Sequence, residues 1–320
     1  MGKEQIIALL KKDMRGEHQA IIQYLSHAYA LGGGEIAAEI EAIAREEMRH
    51  LDWLADAIVE LGGDPTMERD APDLDPGAGD QILLKNVDLE QMAIDQYRAH
   101  MDAIEDEGIR RLLARIVHDE VVHKGQFEDL AREAREQLEA ASEGAPAKEG
   151  GAPPRMADIL NYGIRHEYTV ILQYLYHSFV AEDKELAEEL QNTAINEMQH
   201  MGWLAEAMLA RGGDADMSHT ELFLSRDPEK NLKADIAVEQ EVTRDYTSQI
   251  SELEDAALQE LLTRIRDHEI YHDAVFKDLL QEVEEKEEAA EEQKETAPPP
   301  QGSDDAPPSI PSVGSLIAKD

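Results

Sequence analysis

Four Glu-x-x-His motifs constrain the fold of this chain more than any other feature of its sequence. They are Glu47/His50, Glu120/His123, Glu197/His200 and Glu269/His272. Side chains three residues apart on an α-helix lie on the same face one turn apart, so each motif directs a carboxylate and an imidazole to one point. A chain this rich in Glu would contain about two such pairs by chance. Their placement is regular, because the third motif follows the first by 150 residues and the fourth follows the second by 149.

Another glutamate stands thirty residues before each motif: Glu17, Glu90, Glu167 and Glu239. In a helical hairpin, two positions equally far from the turn meet at the same height, so each lone Glu should face its motif on the neighbouring helix. Two hairpins closed into a four-helix bundle would gather four carboxylates and two imidazoles around one centre. That is the ligand set of a di-iron or di-manganese carboxylate site, and the chain holds it twice. On the third helix of each set, Asp88 or Glu241 could serve instead.

The composition excludes several classes of protein. With 70 acidic against 30 basic residues the formal charge is −40, which repels nucleic acid and anionic membranes and attracts cations. The absence of cysteine excludes disulfides, iron–sulfur clusters, thiolate zinc sites and a rubredoxin-type module. We find neither a signal peptide nor a stretch that could span a bilayer, so we expect a cytoplasmic protein.

Apolar residues at helical spacing predict a first helix over 3–31, followed by Gly32-Gly33-Gly34, and a second over about 35–61. A third helix is expected over 80–105 and a fourth from Gly108 to about 140. Between the second and third helices, residues 64–79 are rich in Pro, Asp and Gly, which fits the single long crossover of a ferritin-like bundle.

The pattern then repeats, which indicates a tandem duplication. We expect an all-α protein with two ferritin-like four-helix bundles and a disordered C-terminal tail. The predicted segments are a first bundle at 1–140, a linker at 141–155, a second bundle at 156–288, an acidic and Pro-rich tether at 289–309, and an apolar terminal peptide at 310–320. The Glu-rich run 282–295 is expected to be a solvated helix end.

Three groups of residues resemble the bacterioferritin branch of the ferritin-like superfamily. They are Glu17 with Gln23-Tyr24 and His27-Ala28, then Glu47-Met48-Arg49-His50, then Asp119-Glu120 with His123, and the third-helix Glu90 completes the set. The resemblance covers about 1–138 and again 156–283. It implies that the first glutamates of each hairpin are terminal ligands, that the motif glutamates bridge two metal ions, and that each motif histidine binds one ion. The implied ligands are Glu17, Glu47, His50, Glu90, Glu120 and His123, and then Glu167, Glu197, His200, Glu239, Glu269 and His272.

Two further pairs of residues recur in both repeats. Tyr24 and Tyr174 lie two helical turns after Glu17 and Glu167, so they could point toward the metal site, and we name them as catalytic candidates. The resemblance implies haem b binding by Met48 and Met198 across the interface between the fused halves. A methionine packed in the core is the commoner outcome, so haem is the less favoured interpretation.

The chain departs from bacterioferritins in carrying two bundles and a C-terminal tail. Within that tail, Val313-Gly314-Ser315-Leu316 resembles the targeting peptides that load cargo enzymes into encapsulin shells. Such peptides often place a basic residue directly after the Leu, whereas here Ile317 follows and the lysine comes at 319. We therefore expect residues 310–320 to bind an encapsulin shell protein, with the enzyme inside the nanocompartment.

The resemblance implies a ferroxidase that oxidises Fe(II) with dioxygen or hydrogen peroxide for iron storage and detoxification, as a homo-oligomer. A dimanganese catalase or a rubrerythrin-like peroxide-reducing enzyme is the alternative, although the lack of cysteine argues against turnover coupled to rubredoxin. A second alternative is a helical scaffold whose metal sites serve stability only. The charge of −40 disfavours a DNA-protecting mini-ferritin.

Overall fold

The structure is a computed structural model that describes residues 1–75, 80–140 and 151–296. Within these residues the chain forms eight α-helices and no β-strand. The helices are α1 (Lys3–Leu31), α2 (Glu35–Glu60), α3 (Gln81–Ala103), α4 (Glu107–Ala140), α5 (Pro154–Val180), α6 (Lys184–Ala210), α7 (Pro228–Glu252) and α8 (Ala256–Thr296). Helices α1 to α4 form the first bundle and α5 to α8 the second, which confirms the predicted fold class.

Each bundle consists of two hairpins. Helix α1 pairs with α2 and α3 with α4, while α1 also packs on α3 and α2 on α4; the second bundle repeats these contacts. The α1–α2 turn needs glycine, because Gly32 and Gly34 adopt φ angles of 76° and 146°. The α5–α6 turn is made differently, since the Asp183 side chain caps α6 by accepting hydrogen bonds from the amides of Glu185 and Leu186.

Periodic apolar residues on α1 explain how its inner face is buried. Leu10, Met14 and Tyr24 are all completely buried, at spacings of four and ten residues that return to one face of the helix. Removing a side chain such as Leu10 from this core would cost about 2–5 kcal/mol. The buried stripe determines the rotation of α1 in the bundle, and this rotation directs Glu17 inward.

A glutamine attaches the long crossover after α2 to the bundle. The side-chain oxygen Oε1 of Gln23 accepts a hydrogen bond from the Asp73 backbone amide at 2.8 Å. The side-chain nitrogen Nε2 of Gln23 donates to Asn86 Oδ1 at 3.1 Å. The second bundle repeats the device, because Gln173 accepts from the Phe223 amide and donates to Asp235. The crossover therefore lies on the first and third helices of its own bundle.

The two bundles pack against each other through α1 with α6 and α2 with α5. At this interface the Tyr168 hydroxyl donates to His18 Nε2 at 2.6 Å, and Arg69 donates to the Met217 carbonyl at 2.8 Å. Tyr168 occupies the position in the second repeat that His18 occupies in the first. The halves are thus related by an approximate twofold arrangement in which equivalent positions meet.

Helix α8 continues beyond residue 288, the predicted end of the second bundle, and ends at Thr296. It therefore includes the Glu-rich run 282–295, which the sequence predicts to be a helix end, because Glu, Lys, Ala and Gln are strong helix formers. Residues 141–150 of the predicted linker, 297–309 of the predicted tether and the terminal peptide 310–320 lie outside the described residues. None of the helices in the described part of the chain combines the length and apolar character needed to cross a bilayer.

Candidate metal centres

Six metal-ligand candidates meet in the middle of each bundle. In the first bundle α1 supplies one carboxylate and α3 another, while α2 and α4 each supply a carboxylate and an imidazole. All six side chains are buried, at 3% exposure or less: Glu17, Glu47, His50, Glu90, Glu120 and His123. The alternatives Asp88 and Glu241 are exposed, so Glu90 and Glu239 are the third-helix residues that face the centre.

The donor atoms of each bundle fall into two overlapping groups, within which all atoms lie within 4.8 Å of one another. In the first bundle these are Glu17, Glu47, His50 and Glu120, and then Glu47, Glu90, Glu120 and His123. In the second they are Glu167, Glu197, His200 and Glu269, and then Glu197, Glu239, Glu269 and His272. Two carboxylates therefore belong to both groups in each bundle. This is the arrangement that holds two cations side by side with two shared ligands.

The histidines direct the same ring nitrogen to the carboxylates. His50 Nδ1 lies 2.8 Å from Glu47 Oε2 and 3.0 Å from Glu120 Oε1. In the second bundle, His200 Nδ1 lies 2.7 Å from Glu197 Oε2. Nε2 of His50, His123 and His200 instead lies near a residue outside the cluster.

Several of these close pairs do not form hydrogen bonds. His123 Nδ1 lies 3.0 Å from Glu47 Oε1, yet neither atom has a hydrogen-bond partner of acceptable geometry. The same holds for His272 Nδ1 and Glu197 Oε1 at 2.7 Å. Buried polar atoms left without partners are costly, and a cation between the nitrogen and the oxygen would satisfy both. The donor sets therefore fit a pair of divalent metal ions.

The carboxylates and imidazoles shift one another's proton affinities in the absence of metal. Burial raises the pKa of Glu17 well above its usual range, and the negative charges of Glu120 and Glu47 raise it further. Burial lowers the pKa of His123, but its contacts with Glu120 and Glu47 outweigh this effect and raise it to about 11. For His272, Glu197 and Glu269 likewise overcome burial and raise the pKa to about 9. The metal-free clusters therefore retain protons at neutral pH, and binding a cation must release them.

The candidate tyrosines contact carboxylates of the candidate metal centres. The Tyr24 hydroxyl on α1 donates to Glu90 Oε1 on α3 at 2.7 Å, and Tyr174 donates to Glu239 in the second bundle. Burial, followed by the nearby carboxylate charges, raises the pKa of Tyr24 well above its ordinary value, so this phenol stays protonated as a donor. The structure thus places each tyrosine against a candidate ligand on another helix, and its catalytic role stays a prediction.

Sequence reasoning missed a second pair of tyrosines. Tyr97 on α3 donates to Glu17 on α1, and Tyr246 on α7 donates to Glu167 on α5. The signal was available, because Tyr97 follows Glu90 by the same seven residues that separate Glu17 from Tyr24. When two helices with this Glu/Tyr spacing lie antiparallel, the tyrosine of each helix lies beside the glutamate of the other.

Met48 and Met198 line one cavity of about 490 Å³ between the two bundles. Its walls are largely apolar and include Ile22, Leu25 and Leu172, and both methionines are partly buried against the core. The structure therefore brings the two methionines of the sequence prediction to a common space. This placement is compatible with core packing and with the haem interpretation, which stays a prediction.

Comparison with known proteins identifies the relatives of this chain. Residues 7–136 and 157–286 each match the family model of the ferritin-like domain. The bacterioferritin of Desulfovibrio desulfuricans is 32% identical over 134 residues, which is 40% of this chain and 75% of that protein.

The chain is also similar to proteins of solved structure. The D. desulfuricans bacterioferritin structure, which reports a diiron site in different catalytic states, is 28% identical with a TM-score of 0.41, covering 48% of this chain and 94% of that one. A manganese catalase from Anabaena is 24% identical with a TM-score of 0.37, covering 44% and 78%. The two family matches together span most of the polypeptide. This chain therefore belongs to the ferritin-like domain family and carries two copies of that domain.

Proposed function

We propose that this protein is a ferroxidase that oxidises Fe(II) to Fe(III) with dioxygen or hydrogen peroxide at two di-iron centres, one in each bundle. The observation that carries the proposal is the pair of buried carboxylates shared by two four-donor groups in each bundle. Carboxylate and imidazole donors together suit iron, and shared ligands hold two ions close enough to react as a pair.

Each donor has a proposed role. Glu17, Glu90, Glu167 and Glu239 would be terminal ligands. Glu47, Glu120, Glu197 and Glu269 would bridge the two ions of a centre. His50, His123, His200 and His272 would each bind one ion through Nδ1, the nitrogen that faces the carboxylates. Bound as substrate, two Fe(II) ions give up two electrons. Together with two protons, these electrons reduce dioxygen to hydrogen peroxide, or hydrogen peroxide to two water molecules.

The protein contributes by positioning the two iron ions and by neutralising their charge. The four carboxylates of each centre balance the charge of two dications, and a carboxylate can change from one-oxygen to two-oxygen binding as the ions gain charge. Tyr24 and Tyr97 keep the terminal carboxylates of the first centre in place by hydrogen bonds across the bundle. The surrounding core excludes bulk water, so these contacts act at low local dielectric.

We further propose that the oxidised iron is stored inside an encapsulin nanocompartment in the cytoplasm, reached through residues 310–320. Residues 310–320 lie outside the described residues, so the support for this proposal is their sequence alone. Co-expression with a candidate shell protein tests the assignment: deletion of residues 310–320 should abolish copurification with the shell and leave iron oxidation by the free enzyme intact.

The proposed activity is tested by anaerobic Fe(II) titration followed by addition of oxygen, with Fe(III) formation followed by near-ultraviolet absorbance. We expect two iron ions per bundle and rapid oxidation. Glu47→Ala should abolish the fast phase of the first bundle and Glu197→Ala that of the second, so that only the double variant lacks both. If iron binds at this stoichiometry but oxidises no faster than in buffer, the ferroxidase proposal is wrong.

The alternative enzyme is a dimanganese catalase, because the same donor set also suits Mn²⁺. Sustained oxygen evolution from hydrogen peroxide by the manganese-loaded protein, together with slow Fe(II) oxidation, would favour it. If the sites serve stability only, Glu47→Ala would lower the melting temperature of the metal-loaded protein with no oxidation rate to lose. Haem at the Met48/Met198 cavity would show as a Soret band that disappears in a double Met→Ala variant.

A further inference from the structure

The two centres differ in the residues that contact the outward nitrogens of their histidines. The ligand candidates themselves are the same in both bundles, as are their distances to within a few tenths of an ångström. Next to these ligand candidates, two equivalent positions carry residues of different charge in the two repeats. Asp119 in the first repeat corresponds to His268 in the second, and Glu46 corresponds to Asn196.

In the first bundle both outward nitrogens face carboxylates. His50 Nε2 lies 3.6 Å from Asp119 Oδ2, and Arg115 holds that carboxylate by donating to the same oxygen at 2.9 Å. His123 Nε2 lies 3.0 Å from Glu46 Oε2, within hydrogen-bond distance. A histidine that binds a cation through Nδ1 must carry its proton on Nε2, so both rings have a negatively charged oxygen available on that side.

In the second bundle the two corresponding positions carry side chains other than carboxylates, His268 and Asn196. His200 Nε2 lies 2.8 Å from His268 Nδ1, an imidazole in place of a carboxylate. Asn196 directs its amide to the Asn192 carbonyl on its own helix at 3.0 Å. Arg264, the counterpart of Arg115, lies over the Trp203 ring at 4.2 Å.

The difference matters because a carboxylate behind a metal-bound histidine fixes the ring and raises its basicity. Loss of such a partner typically weakens metal affinity about 10- to 100-fold. The arginine near this position is kept in both repeats, as Arg115 and Arg264, so replacement of Asp119 by His268 removes one negative charge without removing the positive one.

We infer that the two centres are unequal, and that the first bundle binds divalent metal more tightly than the second because Asp119 and Glu46 support its histidines. This inference rests on the proposed metal centres and adds an order of filling to them. Fe(II) supplied below stoichiometry occupies the first bundle, and the second bundle loads only at higher iron concentration.

Anaerobic Fe(II) titration of the full-length wild-type chain, in competition with a colorimetric chelator, tests the inference without any oxidation step. We expect two classes of site that differ about 10- to 100-fold in affinity. The classes are assigned with single-centre proteins: Glu197→Ala retains the first bundle's centre and should keep the tight class, whereas Glu47→Ala should keep the weak class.

Exchanging the residues near the histidine Nε2 atoms between the two bundles shows whether they cause the difference in metal affinity. In the Glu197→Ala protein, Glu46→Asn with Asp119→His should reduce the affinity to that of the second centre. In the Glu47→Ala protein, Asn196→Glu with His268→Asp should raise it. These four positions lie outside the donor clusters. The wild-type titration also tests the inference if a variant fails to fold.

One class of site in the wild type, a tighter second bundle, or exchanges that leave both affinities unchanged would each overturn the inference. Those results are distinct from a failure of the proposed function. Unequal binding without fast oxidation would contradict the ferroxidase proposal alone, and fast oxidation with equal binding would contradict this inference alone.

Discussion

At the scale of single residues, the reciprocal tyrosine–glutamate bonds are the contacts that support the candidate ligands most directly. Tyr24→Phe removes the donor to Glu90 and leaves a buried carboxylate oxygen without that partner. We expect the metal-free protein to lose about 1–3 kcal/mol of unfolding free energy. Urea denaturation of the metal-free protein measures this loss. Tyr162→Phe is the control, because its half-buried hydroxyl donates to Asp245, which is not a candidate metal ligand. An equal or larger loss in the control would contradict the prediction.

At the scale of elements, a buried glutamine is one of the contacts that attach each crossover to its bundle. Gln23→Leu removes the acceptor of the Asp73 amide and the donor to buried Asn86. Loss of about 1–3 kcal/mol of local stability should speed exchange of the Asp73 amide about 5- to 150-fold. Hydrogen exchange by mass spectrometry of crossover peptides measures the rate. Gln19→Leu is the matched control, because Gln19 makes an exposed bond to the Ala71 carbonyl and should have a smaller effect. Unchanged exchange in Gln23→Leu would show that other contacts hold the crossover.

At the scale of the whole molecule, the interface between bundles contains a pH-sensitive contact. Burial, with smaller contributions from Arg69 and His219, lowers the pKa of His18 from 6.5 to about 3. The neutral ring accepts from Tyr168 through Nε2 and contacts the Glu68 carbonyl through Nδ1. Below pH 6.5 the unfolded chain binds a proton that the folded chain does not, so this contribution to stability is complete above 6.5 and falls as the pH drops toward 3. The loss at pH 5 should be about 2 kcal/mol.

The difference between wild type and His18→Gln isolates that contribution from the many carboxylates that also titrate. The unfolding free energy of the variant should fall less steeply between pH 6.5 and 4, since Gln carries no titrating group and can still accept from Tyr168. Parallel curves for the two proteins would contradict the assignment to His18. The same pair shows how the two repeats differ. The equivalent position carries the hydrogen-bond acceptor His18 in the first repeat and the donor Tyr168 in the second.

Most of the fold and the composition of the donor clusters were predictable, because a helix converts sequence spacing into position. The Glu47/His50 motif and the offset of thirty residues from Glu17 required only the helical period and the hairpin geometry. The end of α8 at Thr296 also follows from composition, since the Glu-rich run 282–295 consists of strong helix formers and prolines come soon after it.

The sequence by itself determined that the chain forms helices, that it forms two bundles, and that twelve carboxylates and imidazoles converge in two clusters. Local periodicity is sufficient for these because it acts within one helix or one hairpin. Only the tertiary structure decided that Tyr97 meets Glu17, that His268 stands behind His200, and that the two halves join with equivalent positions facing each other. These contacts depend on the rotation and register of helices far apart in the chain, which the packing of the whole core sets.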